Sequence, residues 1–129
     1  MKREREGLTV LLLDVSGSMA GREQEIIEAV NSFPTATRCY TFNETRVPFT
    51  LPLTCYEPRG GTCLYDAICD TMKEDQPTTL IIATDGHDST SVRHTLEQAK
   101  MAIRDIDTVF LADGFEAESV GADLGLTVN

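Results

Sequence analysis

A short apolar stretch that ends at an aspartate constrains the fold of this chain more than any other feature. Residues 8–13 read LTVLLL, and Asp14 follows directly. An uninterrupted run of this kind is typical of a strand buried on both faces, as in the centre of a parallel sheet. In open sheets with that architecture, ligands bind just beyond the carboxyl ends of the strands. The run therefore predicts a central strand and a candidate site that begins at Asp14.

The rest of the chain alternates between strand and helix patterns. Predicted strands cover 8–14, 37–42, 47–51, 79–84 and 108–112; predicted helices cover about 22–32, a segment after Thr62, 91–104 and a short 116–124. The few residues between the second and third strands permit only an antiparallel hairpin. Pro48 and Pro52 place the third strand at an edge, since proline cannot donate a ladder hydrogen bond. Right-handed crossovers then predict a three-layer α/β/α, Rossmann-like, mostly parallel sheet of order 3-2-1-4-5.

Length and charge bound the class of protein. The chain has 129 residues, which suits one domain, and we expect a charged tail over 1–7 followed by a domain over 8–129. Its formal net charge of −10 argues against nucleic acid as a partner. We find neither a segment long enough to span a bilayer nor a convincing signal peptide, so the expected location is cytoplasmic and no membrane partner is expected.

The four cysteines do not follow a zinc-binding pattern, because no CxxC pair occurs. Cys39 lies in a predicted strand and Cys69 in a predicted helix, where a free cysteine behaves as a small apolar residue. Reduced, structural cysteines are therefore expected. A disulfide that involves Cys55 and a metal-linked role for Cys63 stay open as alternatives.

Oxygen-bearing side chains from three separate segments are predicted to meet at one rim of the sheet. Asp14, Ser16 and Ser18 follow the first strand, and Asp85 follows the fourth strand. The long loop after the third strand can return the chain to this rim and bring Thr62 near Asp14. Hydroxyls and carboxylates suit a hard cation such as Mg²⁺, Mn²⁺ or Ca²⁺. A plainer alternative makes Asp14 and Thr62 helix caps and Ser16 a turn residue.

The motifs DVSGS, GGT and TDG, in this order and at these distances, resemble the von Willebrand factor type A domain with its metal ion-dependent adhesion site. The resemblance implies that Ser16 and Ser18 bind the metal directly and that Thr62 does so directly or through water. It implies that Asp14 and Asp85 lie close by and hold metal-bound waters. One coordination position would stay open for an Asp or Glu of a partner. The family's sixth strand and long final helix have no clear counterpart here, so a conformational switch is in doubt.

Two classes of function follow from these residues. The first is a non-enzymatic binding module that uses a divalent ion to engage an acidic residue of a protein partner. Docking on an adaptor or ATPase would be one form of this, and self-association is another. The alternative is a metal-dependent phosphohydrolase of haloacid dehalogenase type, suggested by the aspartate after a buried strand. That family needs a second aspartate two residues on, where this chain has Ser16.

Overall fold

The computed structural model describes residues 8–21, 23–34, 37–84, 91–112 and 124. In chain order, the elements are β1 (Thr9–Asp14), a 3₁₀ helix (Gly17–Met19), α1 (Glu23–Val30), β2 (Arg38–Phe42), β3 (Arg46–Phe49), α2 (Leu64–Glu74), β4 (Thr79–Thr84), α3 (Leu96–Ile103) and β5 (Asp107–Ala112). The predictions for residues 1–7, for Asp85 and for a helix over 116–123 fall outside the described residues.

The five strands form one sheet with the predicted order, β3-β2-β1-β4-β5. The pairs β1–β2, β1–β4 and β4–β5 are parallel, whereas β2–β3 is antiparallel. Pro48 lies in β3 opposite Tyr40, and β3 is an edge strand, as its prolines predicted. The topology reverses between β1 and β4, so the carboxyl ends of these two strands lie side by side.

The core explains why the first strand is apolar without interruption. Side chains alternate between the two faces of a strand, and both faces of β1 are covered. Val10 and Leu12 pack on the side of α2 and α3, while Leu11 and Leu13 pack on the side of α1. All four are fully buried, and burying each such side chain stabilises the fold by about 1.5–3 kcal/mol. Helices therefore cover both faces of the sheet, as predicted.

One helix begins later than its periodicity predicted. The pattern indicated a helix from residue 91 with Val92 on its inner face, but α3 begins at Leu96 and Val92 is 88% exposed. Thr95 is the N-cap and forms a capping box with Gln98, in which each side chain bonds the other residue's backbone N–H. This cap fixes the start of the helix and leaves residues 91–94 free to contact α2 instead.

The cysteines are free thiols in this structure. Cys39 is buried in β2, and Cys69 lies partly buried in α2. Burial, together with the nearby charges of Asp70 and Asp66, raises the pKa of Cys69 to about 11. Within the described part of the chain, no helix combines the length and the apolar character needed to cross a membrane.

Candidate metal centre

The carboxylate of Asp14 is fixed at the end of β1. Asp14 is fully buried. Its Oδ1 accepts a hydrogen bond from the backbone N–H of Ser16 at 2.7 Å. Its Oδ2 accepts one from the Thr84 hydroxyl, at the end of neighbouring β4, at 2.5 Å. Two strand ends and the start of the following loop are thus joined through one carboxylate.

The loop that carries Thr62 lies directly against the loop that carries Ser16. The Arg59 N–H donates to the Val15 carbonyl at 2.8 Å, and the Gly17 N–H donates to the Gly60 carbonyl at 3.0 Å. Gly60 has φ = +84°, a left-handed conformation that glycine adopts without strain. The chain therefore does return from the sheet edge to the end of β1, as predicted.

The structure locates the side chains of three of the five predicted site residues. Asp14 is fully buried, and Ser16 and Thr62 are 1% and 6% exposed, all at the carboxyl rim of the sheet. Ser18 lies in the 3₁₀ helix Gly17–Met19, and its side chain lies outside the described part of the chain. Asp85 also lies outside it, but in sequence it directly follows Thr84.

The capping alternative agrees with the structure in part. The Asp14 carboxylate accepts a bond from the Ser16 N–H two residues on, as in a turn. Ser16 precedes the 3₁₀ helix but makes no side-chain capping hydrogen bond. The N-cap of α2 is Cys63 rather than Thr62, and its side chain makes no capping bond either. The Cys63 N–H instead donates to the Asn43 carbonyl at 2.8 Å, which ties the start of α2 to the β2–β3 turn. Cys63, and not Thr62, therefore precedes the first turn of α2.

Two residues at this rim were missed by the sequence reasoning. Thr84 bonds the Asp14 carboxylate, and a hydroxyl residue at the last position of a buried strand was a usable signal for it. Tyr56 is buried, and its hydroxyl donates to the backbone carbonyl of Asp14. This tyrosine lies in an irregular loop, so no periodic pattern marks it.

Asp66, in the first turn of α2, is a third missed residue. It is 5% exposed, and its carboxylate accepts hydrogen bonds from the N–H groups of Val92 and Arg93 at 3.1 and 3.3 Å. His94 Nδ1 lies 3.0 Å from the same carboxylate. An acidic residue four positions after Thr62, on the buried side of a helix, was the available signal.

A groove of about 300 Å³ lies between α1 and the sheet, lined by residues that include Leu13, Ile26, Phe33 and Leu111. Its lining is mostly apolar, and Glu25 and Thr84 are the polar residues in it, so it supplies fewer oxygen ligands than a hard cation needs. The hydroxyls and carboxylates described above are therefore the better candidate for metal chemistry, and they lie at the rim.

Solved structures with the same architecture identify this fold. The chain aligns with a von Willebrand factor type A protein from Catenulispora acidiphila with a TM-score of 0.68 and 16% identity, over 96% of this chain and 38% of the other. The fold is that of a von Willebrand factor type A domain. Proximal thread matrix protein 1 from the mussel byssus also aligns, with a TM-score of 0.64 and 15% identity, over 90% of this chain and 38% of that one.

A second crystal structure of the mussel protein bears on the metal. It is described as having zinc in its MIDAS motif, the abbreviation for metal ion-dependent adhesion site. It aligns with a TM-score of 0.61 and 14% identity, over 90% of this chain and 38% of the other. The chain thus spans well under half the length of these von Willebrand factor type A neighbours. Comparison of the sequence with protein-family models and with curated proteins gives no match.

Proposed function

We propose that this chain is a divalent-cation-dependent binding module that engages an acidic residue of a protein partner. The proposed ligands are the hydroxyls of Ser16, Ser18 and Thr62, with Asp14 and Asp85 beside them. The observation that carries the proposal is the contact between the two loops. Backbone hydrogen bonds fix the loop of Thr62 against that of Ser16, which is what a shared ion requires.

The chemistry of these groups favours a hard ion with incomplete charge neutralisation. Serine and threonine hydroxyls are neutral ligands, so a divalent ion bound through them keeps much of its charge. An incoming carboxylate is then attracted strongly. Asp14, held by the Ser16 amide and the Thr84 hydroxyl, would accept hydrogen bonds from metal-bound waters. The hydroxyls favour Mg²⁺, with Mn²⁺ or Ca²⁺ as alternatives.

Support also comes from the mussel neighbour with zinc in its MIDAS motif, because the two chains share the fold. Zinc accepts oxygen ligands too, so it belongs among the ions to be tested. Two further points stay predictions: the cytoplasmic location of the protein, and a single domain over residues 8–129. A partner that supplies an Asp or Glu, including a second copy of this chain, also stays a proposal.

Calorimetric titration of Mg²⁺, Mn²⁺ and Zn²⁺ into wild type and Ser16→Ala tests the metal. Removal of a direct ligand should weaken binding by at least the 10- to 100-fold typical for outer-shell partners. Ser32→Ala is the matched control, because it removes the same atom from an exposed serine just after α1. Its affinity should equal that of wild type. Equal affinities for all three proteins, or no binding by wild type, would contradict the proposal.

A second experiment addresses the partner and the enzymatic alternative. Proteins captured by the immobilised chain with Mg²⁺ should be released by EDTA, and loss of acidic residues from the captured protein should abolish capture. Capture that survives EDTA would contradict a metal-bridged contact. Turnover of a generic phosphate ester that depends on Asp14 would favour the phosphohydrolase instead.

A further inference from the structure

The buried carboxylate of Asp66 holds a whole segment of backbone rather than one side chain. It accepts hydrogen bonds from the Val92 and Arg93 N–H groups, and His94 Nδ1 lies at hydrogen-bond distance. The backbone N–H of Asp66 itself donates to the Ser91 hydroxyl at 3.1 Å. Four consecutive residues are therefore joined to a single position in the first turn of α2.

We infer that Asp66 is a positioning residue of the metal centre, which rests on the proposed function above. Its carboxylate fixes the segment 91–94, which follows the residues that include Asp85, against the helix that begins just after Thr62. Asp66 would raise the ion affinity by holding these two segments together, and we assign it no contact with the ion.

Chain connectivity shows why this position matters. Six residues, 85–90, join Thr84 to Ser91. Thr84 is bonded to the Asp14 carboxylate, and Ser91 is bonded to the Asp66 backbone. Both ends of that short connection are thus fixed to the segments that carry the other proposed ligands. Release of the second end would leave the connection held at Thr84 alone, which is how loss of the Asp66 carboxylate would act on the metal centre.

Asp70 provides an internal contrast, because it lies one turn further along α2 and contacts the same segment differently. Its carboxylate pairs with the Arg93 guanidinium through two contacts of 3.0 and 2.6 Å. Both side chains of this pair are more exposed than that of Asp66. An exposed ion pair between flexible side chains constrains the backbone much less than hydrogen bonds to its amides. Loss of Asp70 should therefore leave the metal centre intact.

The test compares Asp66→Ala and Asp66→Asn with Asp70→Ala. Amide hydrogen exchange, measured by NMR without metal, should show faster exchange at Val92 and Arg93 in Asp66→Ala, with α2 and α3 amides unchanged. Mn²⁺ affinity, measured by calorimetry, should fall about tenfold or more. Asparagine keeps one acceptor oxygen and nearly the same volume, so its affinity should be intermediate. Asp70→Ala should stay within about twofold of wild type.

The outcomes separate this inference from the proposed function. If wild type binds Mn²⁺ and Asp66→Asn binds it equally well, the inference fails and the proposed function stands. An affinity loss in Asp70→Ala as large as in the Asp66 variants would also overturn the inference. The ion affinity would then depend on any contact with Arg93, and not on the hydrogen bonds from Asp66 to the backbone. If wild type binds no ion, both fail together. Should Asp66→Ala not fold, the asparagine variant carries the test, because it preserves the packing.

Discussion

The candidate metal centre and the opposite end of α2 use polar groups in contrasting ways. At the metal centre, loops are held by backbone hydrogen bonds and by bonds from neutral donors to carboxylates. At the other end lies what we call the Asp75 cluster, formed by Arg38, Tyr40, Arg46, Thr71, Glu74 and Asp75. There the Asp75 carboxylate accepts from the Tyr40 hydroxyl at 2.7 Å and pairs with Arg38 at 3.0 Å.

This contrast separates two uses of a buried carboxylate. The Asp75 cluster contains its own cations, so it needs no ligand to balance the acid. The metal centre is organised instead by contacts that fix oxygen atoms in place, and its proposed cation comes from solution. Variants of the cluster should therefore change stability without affecting ion binding, while variants of the loops should change both.

Arg46→Ala should give the largest loss of stability. Arg46 donates to the Thr71 hydroxyl at 3.0 Å, pairs with Glu74, and stacks over the Tyr40 ring at 4.1 Å from its centroid. Its side chain is only 11% exposed. Loss of charged hydrogen bonds and a cation–π contact should lower the free energy of unfolding by about 2–3 kcal/mol. Urea denaturation measures this, and Mn²⁺ affinity should not change.

Arg38→Ala is the matched control for Arg46. Arg38 also pairs with Asp75, but its side chain is 53% exposed. Exposed ion pairs contribute about 0–1 kcal/mol, so the loss should be clearly smaller. If both variants lost the same free energy of unfolding, the burial of Arg46 would not explain its contribution to stability. If Arg46→Ala weakened ion binding, the two regions would not be independent.

Gly60→Ala should have a moderate effect on stability and a specific effect on ion binding. The left-handed φ of Gly60 costs about 1–2 kcal/mol for any other residue. A Cβ there would also lie 2.6 Å from Glu44 Oε1 and 3.3 Å from Asn43 Nδ2. Movement of this loop would disturb the Gly17–Gly60 hydrogen bond, so both the free energy of unfolding and Mn²⁺ affinity should fall.

Gly21→Ala separates strain from loop contact. Gly21 also has a left-handed φ, +95°, but a Cβ there would meet no atom within 4 Å. Its stability loss should be smaller than that of Gly60→Ala, because only the backbone strain remains, and its Mn²⁺ affinity should equal that of wild type. Equal loss of affinity in both variants would mean that backbone strain, and not the contact between loops, controls ion binding.

Much of the fold was predictable because its strongest signals are local. The apolar runs fixed β1 and β4 to within a residue, since a strand covered on both faces needs apolar side chains at every position. Strand order followed from chain handedness and one short turn. The approach of the Thr62 loop to Asp14 was predictable because a chain at the sheet edge has to return before the next helix.

The features that the sequence did not predict depend on contacts between residues far apart in the chain or on helix caps. Asp66 acts on residues 25 to 28 positions away, and no periodicity reveals such a contact. Val92 fits the apolar stripe of a helix, but the capping box at Thr95 excludes it from α3. Tyr56 reaches the Asp14 carbonyl from an irregular loop. In each case a specific long-range or capping hydrogen bond decided the structure, and the apolar pattern did not.

The pH dependence of the Asp70–Arg93 pair should give the smallest effect. The hydrogen bond from Arg93 holds the pKa of Asp70 below its ordinary value of 3.8. A carboxyl whose pKa is lowered by folding stabilises the folded state above its unfolded pKa, and this contribution is lost as the pH falls through the folded value. Wild type should therefore be slightly more stable than Asp70→Asn at pH 7, and this difference should shrink below about pH 4.

Urea denaturation of both proteins across this pH range measures the difference. A gap that stays constant as the pH falls would show that Asp70 acts through packing and not through its charge. The salt dependence of this stability difference also distinguishes Asp70 from Asp66. An exposed pair is screened by salt, so the gap should narrow when the salt concentration is raised. Asp66 bonds backbone amides in a buried position, so the effect of its variants on amide exchange should persist at high salt.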